Sequence, residues 1–298
     1  MKKLLTTLLS LTIALVPLHV AQANDQKILA IIDTTIDSNK IPSVIYEACF
    51  AQSGADTSCP NGSGFMEGKG SANLQRVPAS GSVSNFNHGT TMTQTALLTS
   101  PEVKIVFVRI AHITTNGSMG VSNPESISRA VEWVSKNASK YSIDAVSISQ
   151  SFTSATNLLR CTNDTTIINA VSSLNNQSIP VFASTGNDRL TDRVGFPSCV
   201  SGVIGVGALA WSKNTKLPAD YTIMNPVTNG WNPVTKTGVP GLDIVAQGEQ
   251  EIGSVQHTGT SVANVIAASL YVNKNTDKNV TKFIGNFSKV LTYPYISK

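Results

Sequence analysis

Ile-Leu-Ala-Ile-Ile-Asp-Thr-Thr-Ile-Asp, residues 28–37, runs an unbroken apolar stretch into an acid. A run apolar on both faces suits an interior strand of a sheet covered from either side, since a half-exposed strand would alternate. Runs of similar character recur at 103–110, 145–148, 179–183 and 203–208, with helix-compatible segments between them. This alternation predicts an α/β domain with a largely parallel sheet and helices on both faces. Between the second and third runs, Asn123-Pro124-Glu125 offers an N-cap, a Pro at the first helical position and an acid in the first turn. Ile127, Val131 and Val134 then share one face, as do Ile168, Val171 and Leu174 after Asn163 and Asp164. Both stripes are expected to face the core.

Residues 50–86 break the pattern, being rich in Gly, Ser and Asn, and read as a long surface loop. Phe283, Phe287 and Leu291, at four-residue spacing, suggest a closing helix near the C-terminus. There is no internal repeat.

At the N-terminus, Lys2 and Lys3 precede a mostly apolar stretch over 4–20, and Ala21-Gln22-Ala23 has the small-residue pattern of a signal-peptidase site. Residues 1–23 are therefore expected to be a signal peptide and 24–298 a single mature domain, 298 − 23 = 275 residues long. Thr6, Thr7, Ser10 and Thr12 interrupt the stretch, which argues against a permanent anchor, and no stable membrane insertion is expected. The product would be secreted or periplasmic. Charged residues are only 13% of the chain, and the net charge of +4 falls by two with Lys2 and Lys3, so nucleic acid is not an expected partner. In an exported chain Cys49, Cys59, Cys161 and Cys199 are most simply two disulfides, with three connectivities open. Cys49 and Cys59 lie close enough in sequence to pair, which leaves Cys161 with Cys199; no Cys-x-x-Cys zinc pattern is present, and no metal is expected.

Three segments carry chemistry. Asp33 ends the first apolar run; His88 stands in Asn-His-Gly-Thr-Thr and Ser261 in His-Thr-Gly-Thr-Ser-Val-Ala, each opening a helix-compatible stretch. A serine hydroxyl is a poor nucleophile until a base takes its proton, and an acid can fix the tautomer of that base. A fourth segment, Phe-Ala-Ser-Thr-Gly-Asn-Asp at 182–188, places Asn187 after another apolar run. Of the other histidines, His19 lies in the signal, His112 lacks the following Gly-Thr, and His257 reads as a wall of the turn before Ser261. His-Glu-x-x-His and its inverse are absent, which removes the usual metallopeptidases. Asp33-Thr34-Thr35 has no second copy, as an aspartic peptidase would need.

The order Asp, His, Ser is that of subtilisin, and these four segments resemble those of the subtilisin-like serine peptidases over nearly all of the mature chain. That resemblance implies a three-layer subtilisin-like fold, an exported endopeptidase acting on polypeptides through an acyl-enzyme, and no organic cofactor. It assigns Asp33, His88 and Ser261 as the triad and Asn187 as the oxyanion donor. It implies that substrate pairs with Gly117-Ser118-Met119-Gly120 and with Ser149-Gln150-Ser151, Ala183-Ser184-Thr185-Gly186 forming the other wall. The departures are equally specific. Asp-Thr-Gly becomes Asp33-Thr34-Thr35, His-Gly-Thr-His becomes His88-Gly89-Thr90-Thr91, and Ser-Met-Ala-x-Pro-His becomes Ser261-Val262-Ala263-Asn264-Val265-Ile266. Glycines usual in the second substrate strand give way to Gln150-Ser151-Phe152, which implies a narrower or more polar first pocket. No propeptide-length segment precedes residue 28, so a folding or inhibitory partner would have to replace one. Residues 95–102 are too short and too poor in carboxylates for the calcium loop of many relatives. Two other outcomes stay open on sequence: a subtilase fold retained for binding with little turnover, and an acyl-transfer enzyme.

Overall fold

Strand β1 (Ile28–Asp33) is buried along its whole length and is hydrogen-bonded on both sides. Around it the computed structural model describes residues 26–51, 59–73, 87–113, 119–120, 123–210, 222–223, 228–232 and 237–273. In chain order come β2 (Val44–Phe50), β3 (Phe65–Glu67), helix α1 (His88–Thr99), β4 (Lys104–Arg109), β5 (His112–Ile113) and β6 (Met119–Gly120). Helix α2 (Pro124–Asn137), β7 (Ala145–Ile148), two short turns α3 (Ala155–Leu158) and α4 (Arg160–Asn163), α5 (Thr165–Asn176), β8 (Val181–Ser184) and β9 (Val203–Ala210) follow. The last part holds β10 (Thr222–Ile223), β11 (Trp231–Asn232), β12 (Thr237–Gly238), β13 (Ile244–Gln247), β14 (Glu249–Ile252), β15 (Val255–Thr258) and α6 (Thr260–Asn273).

Nine strands form one sheet in the order β10-β9-β8-β7-β1-β4-β2-β3, with β13 also on β9. Only β10 and β3, at its two ends, run antiparallel to their neighbours. From β1 the chain builds the sheet in one direction through β4 and β2, and in the other through β7, β8 and β9. The order therefore reverses between β1 and β7, and in open α/β sheets the crevice beyond the carboxyl ends at such a point is where ligands bind.

The alternation of side chains along β1 makes the layers. Ala30 and Ile32 join Val106, Val108, Val146, Ile148, Val181 and Ala183 on one face, under Ile127, Val131 and Val134 of α2 and Ile167, Val171 and Leu174 of α5. Leu29 and Ile31 join Ile105, Phe107, Ala145, Phe182, Val206 and Ala208 on the other, under Met92 and Ala96 of α1 and Val262, Val265, Ala268 and Val272 of α6. Each such Ile, Leu or Val contributes about 1.5–3 kcal/mol by leaving water. The helix starts follow their expected chemistry, since Asn123 Oδ1 accepts from Ser126 N–H at 2.7 Å with Pro124 behind it. Asp164 caps α5 and ion-pairs with Arg160 at 2.8 Å.

The expected five interior strands are β1, β4, β7, β8 and β9. The expected loop over 50–86 needs correction in part: Phe65–Glu67 is an edge strand on β2, and Ser71 and Ala72 are buried beside it. Backbone N–H groups of Gly70 and Ala72 hold the buried Glu47 carboxylate, each at 3.0 Å, which is what draws this segment in. His257 stands in strand β15 of a hairpin, opposite Gln250. The expected signal peptide over 1–23 and the closing helix around Phe283, Phe287 and Leu291 lie outside the described residues. Among the described residues no helix is long and apolar enough to cross a membrane.

Cys49 pairs with Cys59 and Cys161 with Cys199. Peptide mapping without reduction should return these two links, and any fragment crossing them would overturn the pairing. On the chain-entropy account, replacing Cys161 and Cys199, 38 residues apart, by serine should cost about 4 kcal/mol in urea unfolding; the Cys49–Cys59 pair, 10 apart, should cost about 3 kcal/mol.

Candidate active site

Asp33 ends β1 at the switch point and is fully buried. Its Oδ1 accepts from Thr34 N–H at 2.6 Å, meets His88 Nδ1 at 2.7 Å and receives Gln150 Nε2 at 3.4 Å, while Oδ2 is buried without a partner. A carboxylate can only accept, so the His88 proton sits on Nδ1 and the other ring nitrogen, Nε2, is the basic one. His88 opens α1, and Gly89 explains how that helix end comes so close to the acid. A Cβ on Gly89 would lie 2.5 Å from Thr35 O and 2.4 Å from Phe107 Cζ, and its N–H donates to Thr34 Oγ1 at 3.0 Å. Burial alone would lower the His88 pKa; the Asp33 charge and hydrogen bond overcome it and hold the imidazole above its ordinary value.

Ser261 is the second residue of α6, a helix apolar nearly all round and buried under the sheet. Its Oγ donates to Ser149 O at 3.0 Å, and Ser149 Oγ donates back to Ser261 O at 3.2 Å, which fastens Ser261 to the end of β7. One turn along, the buried Asn264 donates Nδ2 to Ser147 Oγ at 2.9 Å and to Ser149 Oγ at 3.3 Å. Among the described residues no hydrogen bond joins Ser261 to His88. The hydroxyl instead rests on Ser149, next to Gln150, whose amide reaches Asp33.

Asn187 lies beyond the end of β8 and is exposed. Thr260 N–H and Thr260 Oγ1 both meet its Oδ1, at 3.0 and 2.9 Å. An N–H can only donate, so Oδ1 is the acceptor, and among the described residues Nδ2 is left as a donor without a partner. Thr260 Oγ1 in turn accepts from Gly186 N–H at 3.3 Å. Asn187 is thus fastened to Thr260, the first residue of α6 and the neighbour of Ser261.

The remaining expected residues divide. Gly117 and Ser118 lie outside the described residues, and Met119–Gly120 form β6, paired with His112–Ile113. Of the second segment, Ser149 hydrogen-bonds Ser261, Gln150 reaches Asp33 and Ser151 reaches Thr185. Ala183, Ser184 and Thr185 are buried, so that wall can offer backbone but little side chain. Ser151 Oγ donates to Thr185 O at 3.3 Å and fills the gap behind it: a Cβ on Gly195 would fall 2.0 Å from that oxygen, and one on Gly186 2.8 Å. His112 is buried, and its pKa is lowered by burial and by Arg109. The supporting residues Thr34, Ser147, Thr260 and Asn264 were missed by sequence reasoning, because each acts through one contact that no periodicity announces. Among the described residues no cluster of His, Cys, Asp and Glu could hold a metal ion.

No protein-family model matches the chain, and no curated protein matches it. Solved structures do. One titled S41 psychrophilic protease is 17% identical, covering 87% of this chain and 80% of that one at a TM-score of 0.55. Sphericase is 17% identical over 84% and 77%, with a TM-score of 0.54. A cold-adapted subtilisin-like serine proteinase is 18% identical over 84% and 77%, with a TM-score of 0.50. The fold is therefore the subtilisin-like three-layer α/β fold.

An NMR titration of the His88 ring should show a midpoint above the ordinary imidazole value. In Asp33→Asn only burial remains to act, so the midpoint should fall below that of the native protein; an unchanged midpoint would show that the carboxylate does not govern this imidazole. Since the folded pKa is the higher one, the pair stabilises the fold most below the unfolded imidazole pKa. That contribution is lost as pH rises through the folded value.

Proposed function

We propose that this chain is a serine endopeptidase of the subtilisin-like class, cleaving polypeptides through an acyl-enzyme on Ser261. The observation that carries the reading is the 2.7 Å contact of His88 Nδ1 with the buried Asp33 at the switch point, with Ser261 fastened across that crevice on β7. In the proposed cycle Ser261 Oγ leaves Ser149 O, gives its proton to His88 Nε2 and attacks the scissile carbonyl. The new C–O bond pushes the carbonyl electron pair onto oxygen, where Asn187 Nδ2 and the Ser261 N–H receive it. His88 then protonates the leaving amine, and water repeats the sequence on the ester. Apo hydrogen bonds of this kind often form only in the Michaelis complex, which accommodates the hydroxyl resting on Ser149.

With residues 1–23 as a signal and 24–298 as the mature domain, the enzyme would act in the periplasm or outside the cell, where disulfides persist. One observation favours a second reading. Because Ser261 donates to Ser149 rather than to His88, the fold can also have been kept for binding with little turnover. A labelled fluorophosphonate separates the two: Ser261 should react covalently in the purified mature protein, Ser261→Ala should not, and an unlabelled native protein would remove the enzyme reading. Analysis of products in the presence of an amine then distinguishes hydrolysis from acyl transfer.

Ser151 bears on substrate class. With its hydroxyl filling the gap against Gly186 and Gly195, the cleft beside the nucleophile suits a small residue on the acyl side of the scissile bond. Ser151→Gly should raise kcat/KM for a Leu or Phe substrate over an Ala substrate by about 10-fold or more. An unchanged preference would place the pocket elsewhere.

A further inference from the structure

Asn229 takes no part in the chemistry above, yet it is fully buried and directs its polar groups at the loop that carries Asn187. Its Oδ1 accepts from the N–H of Asp188 and of Leu190, both at 3.0 Å. Its Nδ2 donates to the Asp188 carboxylate at 3.0 Å, and its backbone N–H donates to Gly186 O at 3.1 Å. Gly230 N–H adds a bond to Leu190 O at 2.7 Å. On the other side the Thr228 hydroxyl closes on Ala208 of β9, accepting from its N–H at 3.0 Å and lying 3.2 Å from its carbonyl oxygen. Residues 228–230 are thus a staple with one leg in the sheet and the other around the loop. The residues before and after Asn187 are both tied to Asn229. Gly186 allows the closeness: its φ is +104°, and a Cβ there would lie 2.3 Å from Asn229 Nδ2.

We infer that Asn229 is the positioning residue of the oxyanion donor, setting the backbone of 186–190 so that Asn187 Nδ2 faces the position beside Ser261. This rests on the serine-peptidase reading. An amide suits the task because it accepts from two N–H groups while donating to a carboxylate. Alanine would leave two loop N–H groups without their partner. Aspartate would keep the acceptors but set one carboxylate against another at Asp188. Misplacing a donor by about 1 Å can cost on the order of 10²-fold in rate.

The test is a double-mutant cycle on the mature protein, with active sites counted by fluorophosphonate so that rates refer to folded molecules. Asn229→Ala should lower kcat by about 10- to 100-fold with KM within about 2-fold, and in an Asn187→Ala background it should lower kcat by less than about 2-fold further. Equal losses in both backgrounds would show that Asn229 acts by another route, and so would a lowered unfolding midpoint with kcat intact; either overturns the inference. Should Asn229→Ala fail to fold, a charge swap decides. Asn229→Asp should impair kcat and the added Asp188→Asn should restore it, and failure of the restoration counts against the role. Hydrogen exchange needs no turnover: amides of 186–190 should exchange faster in Asn229→Ala, or in Asn229→Asp, than in the native protein, with β4 amides unchanged. Unchanged exchange there overturns the positioning. A native protein that is not labelled at all refutes the peptidase reading instead, and the exchange result still shows whether Asn229 holds the loop.

Discussion

A carboxylate buried at the end of the central strand is the constraint around which the rest is arranged. Removing such a group from water is costly unless its charge is met by donors. Asp33 is met by its own loop at Thr34, by the first residue of α1 and by the amide of Gln150. Each of these partners fixes an element. Thr34 in turn holds Gly89, so the start of α1 is fastened to the end of β1 from two directions. Because Asp33 sits where the strand order reverses, everything that meets it converges on the same crevice.

The opposite wall is built from polar contacts with no ionised member. Ser147, Ser149 and Asn264 make a buried network between β7 and the first turn of α6, and Thr260 does the same toward β8. The network uses the donor side of the Asn264 amide, its Oδ1 being buried without a partner among the described residues. An otherwise apolar helix is thereby held in one rotation about its axis, which greasy packing alone would leave less defined. The hold on the start of α6 therefore comes largely from small uncharged side chains.

Legibility in the sequence followed the physics of each element. Interior strands such as β1 and β4 were legible because burial on both faces leaves an unbroken apolar run. Strand β2 was not, because Glu47 stands in its middle, and its burial depends on N–H groups at Gly70 and Ala72, 23 and 25 residues further on. The same donors drew part of a segment read as surface loop into the sheet. Asp33 and His88, which the structure brings together, were marked by their neighbours in sequence, and the cysteine pairing by proximity along the chain. Asn229 was not, because one Asn in a short turn carries no pattern; only the fold shows how many of its bonds end on one loop. Nor was the resting place of the Ser261 hydroxyl, which is set by a contact across 112 residues.

That separation has a consequence for the order of assembly. Acid and imidazole belong to β1 and α1, near the front of the chain, whereas the nucleophile opens α6, the last described element. Helix α6 packs against β7, β8, β9 and α1 and has little to hold it until they are in place. Contacts so distant in sequence form late, because the loop between them must close first. On the serine-peptidase reading, a partly folded chain would hold the acid and the imidazole without the serine they are to activate. On that reading, competence would arrive late, when α6 docks.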